Sequence, residues 1–138
     1  MAQKVVCLLG PVKSGKSHTL LSVAAAVSHK HEVLVVSFDQ KIDVIEHMLQ
    51  EAGAKRGNVR VRTFDPDSDT GNTLARLNDL LDAHRCAAVD LEAICIDHPY
   101  PPIDYPMYQA IAEANGVDVY YTSQMHKKMA KRQRRPKK

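Results

Sequence analysis

Short apolar runs alternate along this chain with longer stretches in which apolar residues recur every three or four positions. Runs of the first kind cover about 4–9, 33–38, 59–64, 91–97 and 117–123. The second of them reads Val-Leu-Val-Val-Ser-Phe, nearly continuous apolar character that suits a parallel strand covered on both faces. Helical spacing is found over about 16–29, with Leu20, Val23, Ala24 and Val27 on one stripe. It returns over 41–52 (Ile42, Ile45, Leu49, Ala52), over 72–84 (Leu74, Leu77, Leu80, Leu81) and over 107–114. Gly53 and Asn115-Gly116 are stop signals, because glycine adopts the left-handed residue that ends helices. Asp65-Pro-Asp-Ser-Asp-Thr-Gly71 is a turn and cap cluster ahead of the third helix. His98-Pro-Tyr-Pro-Pro-Ile-Asp-Tyr-Pro106 is a stiff proline-rich loop ahead of the fourth. The alternation has no internal repeat and predicts an α/β fold. That fold is a doubly wound, mostly parallel five-stranded sheet with helices on both faces. Such sheets take ligands beyond the carboxyl ends of their strands.

The polar residues with chemical potential fall at those ends. Gly10-Pro-Val-Lys-Ser-Gly-Lys-Ser17 reads G-x-x-x-x-G-K-S between a predicted strand and a predicted helix, the context a Walker A phosphate loop needs. Backbone N–H groups of Gly10, Pro11-Val12-Lys13-Ser14 and Gly15 (Pro11 itself has none) would wrap phosphates at the positive end of the helix dipole. His18 comes next, in the first helical turn. Lys16 would reach the β- and γ-phosphates, and the Ser17 hydroxyl would hold Mg²⁺. The expected cofactors are therefore ATP and Mg²⁺. Asp97 ends an apolar strand, as a Walker B carboxylate does, and would join the Mg²⁺ shell; Asp90, the rival, precedes that strand. Asp39 ends the second strand and has two readings: general base for the attacking water, or N-cap of the second helix. Gln124 ends the fifth strand, where an amide can contact a γ-phosphate and shift the segment beyond it. Tyr100, Tyr105 and Tyr108 either stack on a base or pack against the prolines and the fourth helix.

Composition narrows the class. With 138 residues the chain is one domain, residues 1–124, joined to a segment of different character. Residues 127–138 carry Lys127, Lys128, Lys131, Arg132, Arg134, Arg135, Lys137 and Lys138 and no acid. Setting those eight aside from the total of 19 leaves 11 basic residues against 16 acidic ones, a net of −5. A basic, flexible tail on an acidic body seeks polyanions, with nucleic acid (single- or double-stranded DNA) first among them. No apolar run reaches the roughly 18 residues of a membrane span. Of three well-separated cysteines, Cys7 and Cys95 lie in strand patterns and read as buried reduced thiols, and an odd count with no CxxC places the chain in the cytoplasm.

In sequence order, these pieces resemble the RecA-like ATPase core, which also underlies DnaB-type helicases and KaiC-type proteins. The phosphate loop looks like the RecA type. Val-Ser-Phe-Asp39 lies where that family puts its catalytic acid, Asp69-Thr-Gly71 is similar to a turn before its third helix, and Thr-Ser-Gln124 is similar to its strand with a sensing glutamine. The resemblance covers about residues 4–124. It implies an ATPase whose catalytic residues are Lys16 and Asp39, a homo-oligomer with sites between subunits, and work on nucleic acid. The family acid is Glu, one methylene longer than Asp39, which argues against fast hydrolysis. Two other classes stand beside this one. Type II thymidine kinases are similar in their Gly-Pro-x-x-Ser-Gly-Lys-Ser loop and Ile-Asp strand end, although this chain has no CxxC zinc lid. A nucleotide-gated binding module would hydrolyse little or nothing.

Overall fold

The computed structural model describes residues 4–10, 16–38, 40–64, 73–86, 91–97 and 105–124. Ten elements succeed one another there. They are β1 (Val5–Gly10), α1 (Lys16–Ser28), β2 (Glu32–Ser37), α2 (Ile42–Glu51), a 3-10 turn (Arg56–Asn58), β3 (Val59–Thr63), α3 (Thr73–Cys86), β4 (Leu91–Asp97), α4 (Tyr105–Asn115) and β5 (Asp118–Gln124). The strands form one sheet in the order β1-β5-β4-β2-β3, and every pairing is parallel. All five carboxyl ends therefore reach the same edge of the sheet.

Strand parity sorts the side chains between two faces. Val33 and Val35 of β2 share a buried cluster with Leu20, Leu21 and Ala24 of α1 and Ile45 and Leu49 of α2. Their neighbours Leu34, Val36 and Phe38 pack with Leu77 and Leu81 of α3 and Tyr108, Ile111 and Ala112 of α4. Helices cover both faces, which is why the strands carry so few polar positions. β1 is first across the sheet and β2 fourth, so α1 must cross β5 and β4 to join them. The small side chains Ala93 and Cys95 lie in the same cluster as Ala24 and let α1 approach β4 closely. That crossing brings the start of α1 to the carboxyl end of β4.

Two helix ends obey the expected glycine chemistry. Gly53 has φ 80°, with Gly53 N–H bonded to Gln50 O and Ala54 N–H to Leu49 O. Gly116 has φ 64°, and Val117 N–H reaches back to Ala112 O. Both are the 6→1 closure of a Schellman end.

Several expectations need correction. The buried stripe of α1 is Leu20, Leu21, Ala24, Ala25 and Ser28, with Val23 and Val27 only half-buried. The helix lies over several strands at once, so its buried face turns from the one spacing suggests. Ile42, the first residue of α2, and Ala52, its C-cap, are exposed, and the buried residues of that helix are Ile45 and Leu49. α4 begins at Tyr105 and contains Pro106, which fits the first turn because no intrahelical N–H bond is needed there. Cys7 is exposed while Cys95 is buried. β1 is an edge strand and has a partner on one side only, which leaves Cys7 uncovered. Burial pushes the Cys95 thiol up to about 12, so it stays protonated at neutral pH.

Candidate functional site

The carboxyl edge of the sheet brings together residues far apart in sequence. Ser37 pairs in register with Asp97, and Gly10 with Gln124. Ile96 pairs with Tyr121, so Thr122 lies beside Asp97 on the other flank. Asp97 ends β4 and is 1% exposed. Burying a carboxylate this deeply is costly unless it is hydrogen-bonded. Here Ser17 Oγ donates to Asp97 Oδ1 at 2.8 Å, Thr122 Oγ1 donates to the same oxygen at 3.3 Å, and Ser37 Oγ donates to Oδ2 at 3.3 Å. The Asp97 main chain is also engaged, its carbonyl accepting from Phe38 N–H at 3.0 Å.

These four residues share one face for a simple reason. Ser37, Asp97 and Thr122 continue the parity of Val35, Cys95 and Tyr120, which face α1. Ser17 is the second residue of α1. The helix start and the three strand ends converge on one carboxylate, with Ser17 and Asp97 80 positions apart in the chain. A serine hydroxyl and a carboxylate in contact are hard oxygen donors of the kind Mg²⁺ takes. The donor set therefore fits the expected cation.

The expected site residues separate by element. Lys16 and Ser17 open α1, His18 is exposed one residue further on, and Gly10 closes β1. Gln124 is the last residue of β5, its backbone beside Gly10, while its expected side-chain contact lies outside the described residues. Pro11, Val12, Lys13, Ser14 and Gly15 lie outside the described residues, as do Asp39, the rival Asp90, Tyr100 and the basic positions after Gln124. One reading of Asp39 is nonetheless corrected. α2 starts at Ile42, its cap position is Lys41, and among the described residues no side chain caps it. The first intrahelical bond runs from Ile45 N–H to Lys41 O. Asp39, two residues upstream, is therefore not the N-cap.

The tyrosines also separate. Tyr108 is fully buried and stacked on Tyr121 with ring centroids 3.9 Å apart, so it is not available to a base. Tyr105 is exposed beside β1, its hydroxyl donating to Val5 O at 3.4 Å.

Ser37 and Thr122 have roles that the sequence does not assign. Their signal is present but weak, since each is a hydroxyl residue near the carboxyl end of an apolar strand. Only the strand order reveals that β2 and β5 flank β4. No protein-family model matches the chain, and no curated protein matches its sequence. Among the described residues, no helix is long and apolar enough to cross a membrane.

Proposed function

We propose that the chain is a P-loop nucleotide-binding protein of RecA-like type. It binds ATP with Mg²⁺ at the carboxyl edge of the sheet, hydrolyses it slowly, and acts with nucleic acid. The observation that carries this reading is the 2.8 Å hydrogen bond from Ser17 Oγ to Asp97 Oδ1. A chance G-x-x-x-x-G-K-S in an ordinary strand–helix turn has no reason to direct its serine onto a buried carboxylate from a strand two positions away. A metal-binding hydroxyl and carboxylate must meet in this way.

In this reading Ser17 and Asp97 hold the cation, which would neutralise phosphate charge and orient the γ-phosphoryl group. Lys16 bears on the phosphates from the first turn of α1, whose dipole also favours them. Asp39 is the candidate base. Gln124 neighbours the first glycine of the loop through the backbone pairing of β1 and β5. A change at the γ-phosphate there has a short path to the basic residues beyond it. The tail residues Lys127, Lys128, Lys131, Arg132, Arg134 and Arg135 supply the contacts to nucleic acid.

The test is ATP binding and hydrolysis by the full chain, with and without single-stranded DNA, against Lys16→Ala. DNA-stimulated turnover that disappears in Lys16→Ala is the expected result. ADP production dependent on an added nucleoside would replace this reading with a phosphotransferase. Tight ATP binding without turnover would replace it with a nucleotide-gated module. Absence of ATP binding to the wild-type chain would overturn the nucleotide site altogether.

A further inference from the structure

The hydroxyls around Asp97 are not equivalent. Thr122 lies on β5 and Ser17 on α1, and each reaches Oδ1. Ser37 bonds the other oxygen, Oδ2, and its own oxygen has a second partner, the backbone N–H of Gln40 at 3.0 Å. An N–H can only donate, so it takes a lone pair of Ser37 Oγ and leaves the hydroxyl proton to point at the carboxylate. The direction of the relay is thereby set, from Gln40 N–H through Ser37 O–H to Asp97 Oδ2. Phe38 N–H adds a parallel link to the Asp97 main-chain carbonyl at 3.0 Å. The segment spanned by these bonds is the β2–α2 connection, Phe38 to Lys41, and it includes Asp39.

We propose that Ser37 is a positioning residue that couples the Asp97 carboxylate to the backbone of the β2–α2 connection, so that a metal–nucleotide complex at Asp97 orders the backbone at Gln40. This inference rests on the nucleotide reading above and deepens it. Such a tie matters here, because among the described residues no side chain caps α2 and its first residues are exposed. A carboxylate also needs a fixed rotamer to hold a small cation with strict geometry, and outer hydrogen-bond partners supply that orientation. Ser37 and Thr122 hold Asp97 from the two neighbouring strands, and Ser37 in addition passes the constraint on to Gln40.

The test uses the full chain with Mn²⁺ as the metal probe. ATP affinity is measured in EDTA, Mn²⁺ affinity of the ATP complex is read by electron paramagnetic resonance, and amide exchange is followed in the peptide containing Gln40. Four proteins are compared: wild type, Ser37→Ala, Ser37→Cys and Thr122→Val. Ser37→Cys fills the same space with a weak donor and serves if the alanine variant melts early. Metal-free ATP affinity should be equal in all four. Mn²⁺ affinity should fall roughly 10- to 100-fold in both Ser37 variants and in Thr122→Val, the size typical of outer partners of a metal ligand. Mn²⁺·ATP should protect the Gln40 peptide in wild type and Thr122→Val, and fail to protect it in the Ser37 variants. Wild-type Mn²⁺ affinity or wild-type protection in a folded Ser37 variant overturns the inference and leaves the nucleotide site intact. Failure of the wild-type chain to bind ATP under any condition removes the nucleotide reading, and this inference with it.

Discussion

At the scale of single residues, Asp97 concentrates the chemistry of this chain. It is almost fully buried, yet three hydroxyls from three different elements converge on it. Hydroxyls can satisfy a buried carboxylate without cancelling its charge. Asp97→Asn keeps an acceptor for Ser17 but removes that charge. It should leave metal-free ATP binding unchanged and weaken Mn²⁺ binding by more than the roughly 10- to 100-fold expected of the outer partners. Titration of Mn²⁺ into the ATP complex checks this, and an unchanged Mn²⁺ affinity would move the metal away from Asp97. The sequence already singles out Ser17 and Asp97, because spacing and strand-end position are local properties. It does not single out Ser37 and Thr122. Their importance depends on which strands lie beside β4, and strand order is set by packing between segments far apart in the chain.

At the scale of elements, packing decides what local pattern leaves open. The runs read as parallel strands are parallel, and the glycine stops end α2 and α4 where expected, because these signals lie within a few residues of the feature they specify. Cys7 is legible as a strand residue but not as an exposed one, since an edge strand and a central strand differ only in their neighbours. Gly53 shows the local kind of signal in energetic form. A Cβ there would meet nothing within 4 Å, so Gly53→Ala carries only the backbone cost of φ 80°. That cost is about 1–2 kcal/mol, and it should appear as a lower urea midpoint with an unchanged m-value. Tyr108 shows the non-local kind. Its ring packs between α4 and β5 against Tyr121, and its buried hydroxyl has no hydrogen-bond partner among the described residues. An unsatisfied buried hydroxyl costs about 1–3 kcal/mol, so Tyr108→Phe should stabilise the fold by an amount of that order. The same burial raises the Tyr108 phenol above its ordinary value, first through desolvation and then through Tyr121 and Cys7. The native state thus keeps a proton that the unfolded chain releases above pH ~10. The stability associated with this group is complete below that pH and declines as pH rises, by up to about 1.4 kcal/mol per unit. Tyr108→Phe should flatten that part of the alkaline decline in urea midpoints measured from pH ~9 to ~11. An equal slope in both proteins would show that Tyr108 ionises freely in the folded state.

At the scale of the whole molecule, the fold and the charge distribution point the same way. All strand carboxyl ends share one edge, and β5 ends there with Gln124 beside Gly10. The residues after β5 therefore depart from the same edge that carries Ser17 and Asp97. They are also the residues that carry eight basic groups without an acid, on a body whose net charge is −5. The like-signed body would repel a polyanion, so in the proposed reading any attraction would have to come from the tail, with a range limited by salt. A chain ending at Gln124 keeps every described element, yet should lose most of its affinity for single-stranded DNA. For the full chain, log K against log salt concentration should be linear. If all eight charges met phosphates, its slope would approach about −6, at roughly −0.7 per contact on single strands. A slope near zero, or equal affinity in the shortened chain, would assign nucleic-acid contact to the body instead. Adding Mg²⁺·ATP supplies the decisive comparison. If Gln124 transmits the state of the γ-phosphate to the tail, the slope should change between Mg²⁺·ATP and Mg²⁺·ADP, because a different number of basic groups would then reach the strand. Equal slopes would separate Gln124 functionally from the tail, leaving the tail as a tether whose grip does not depend on the nucleotide.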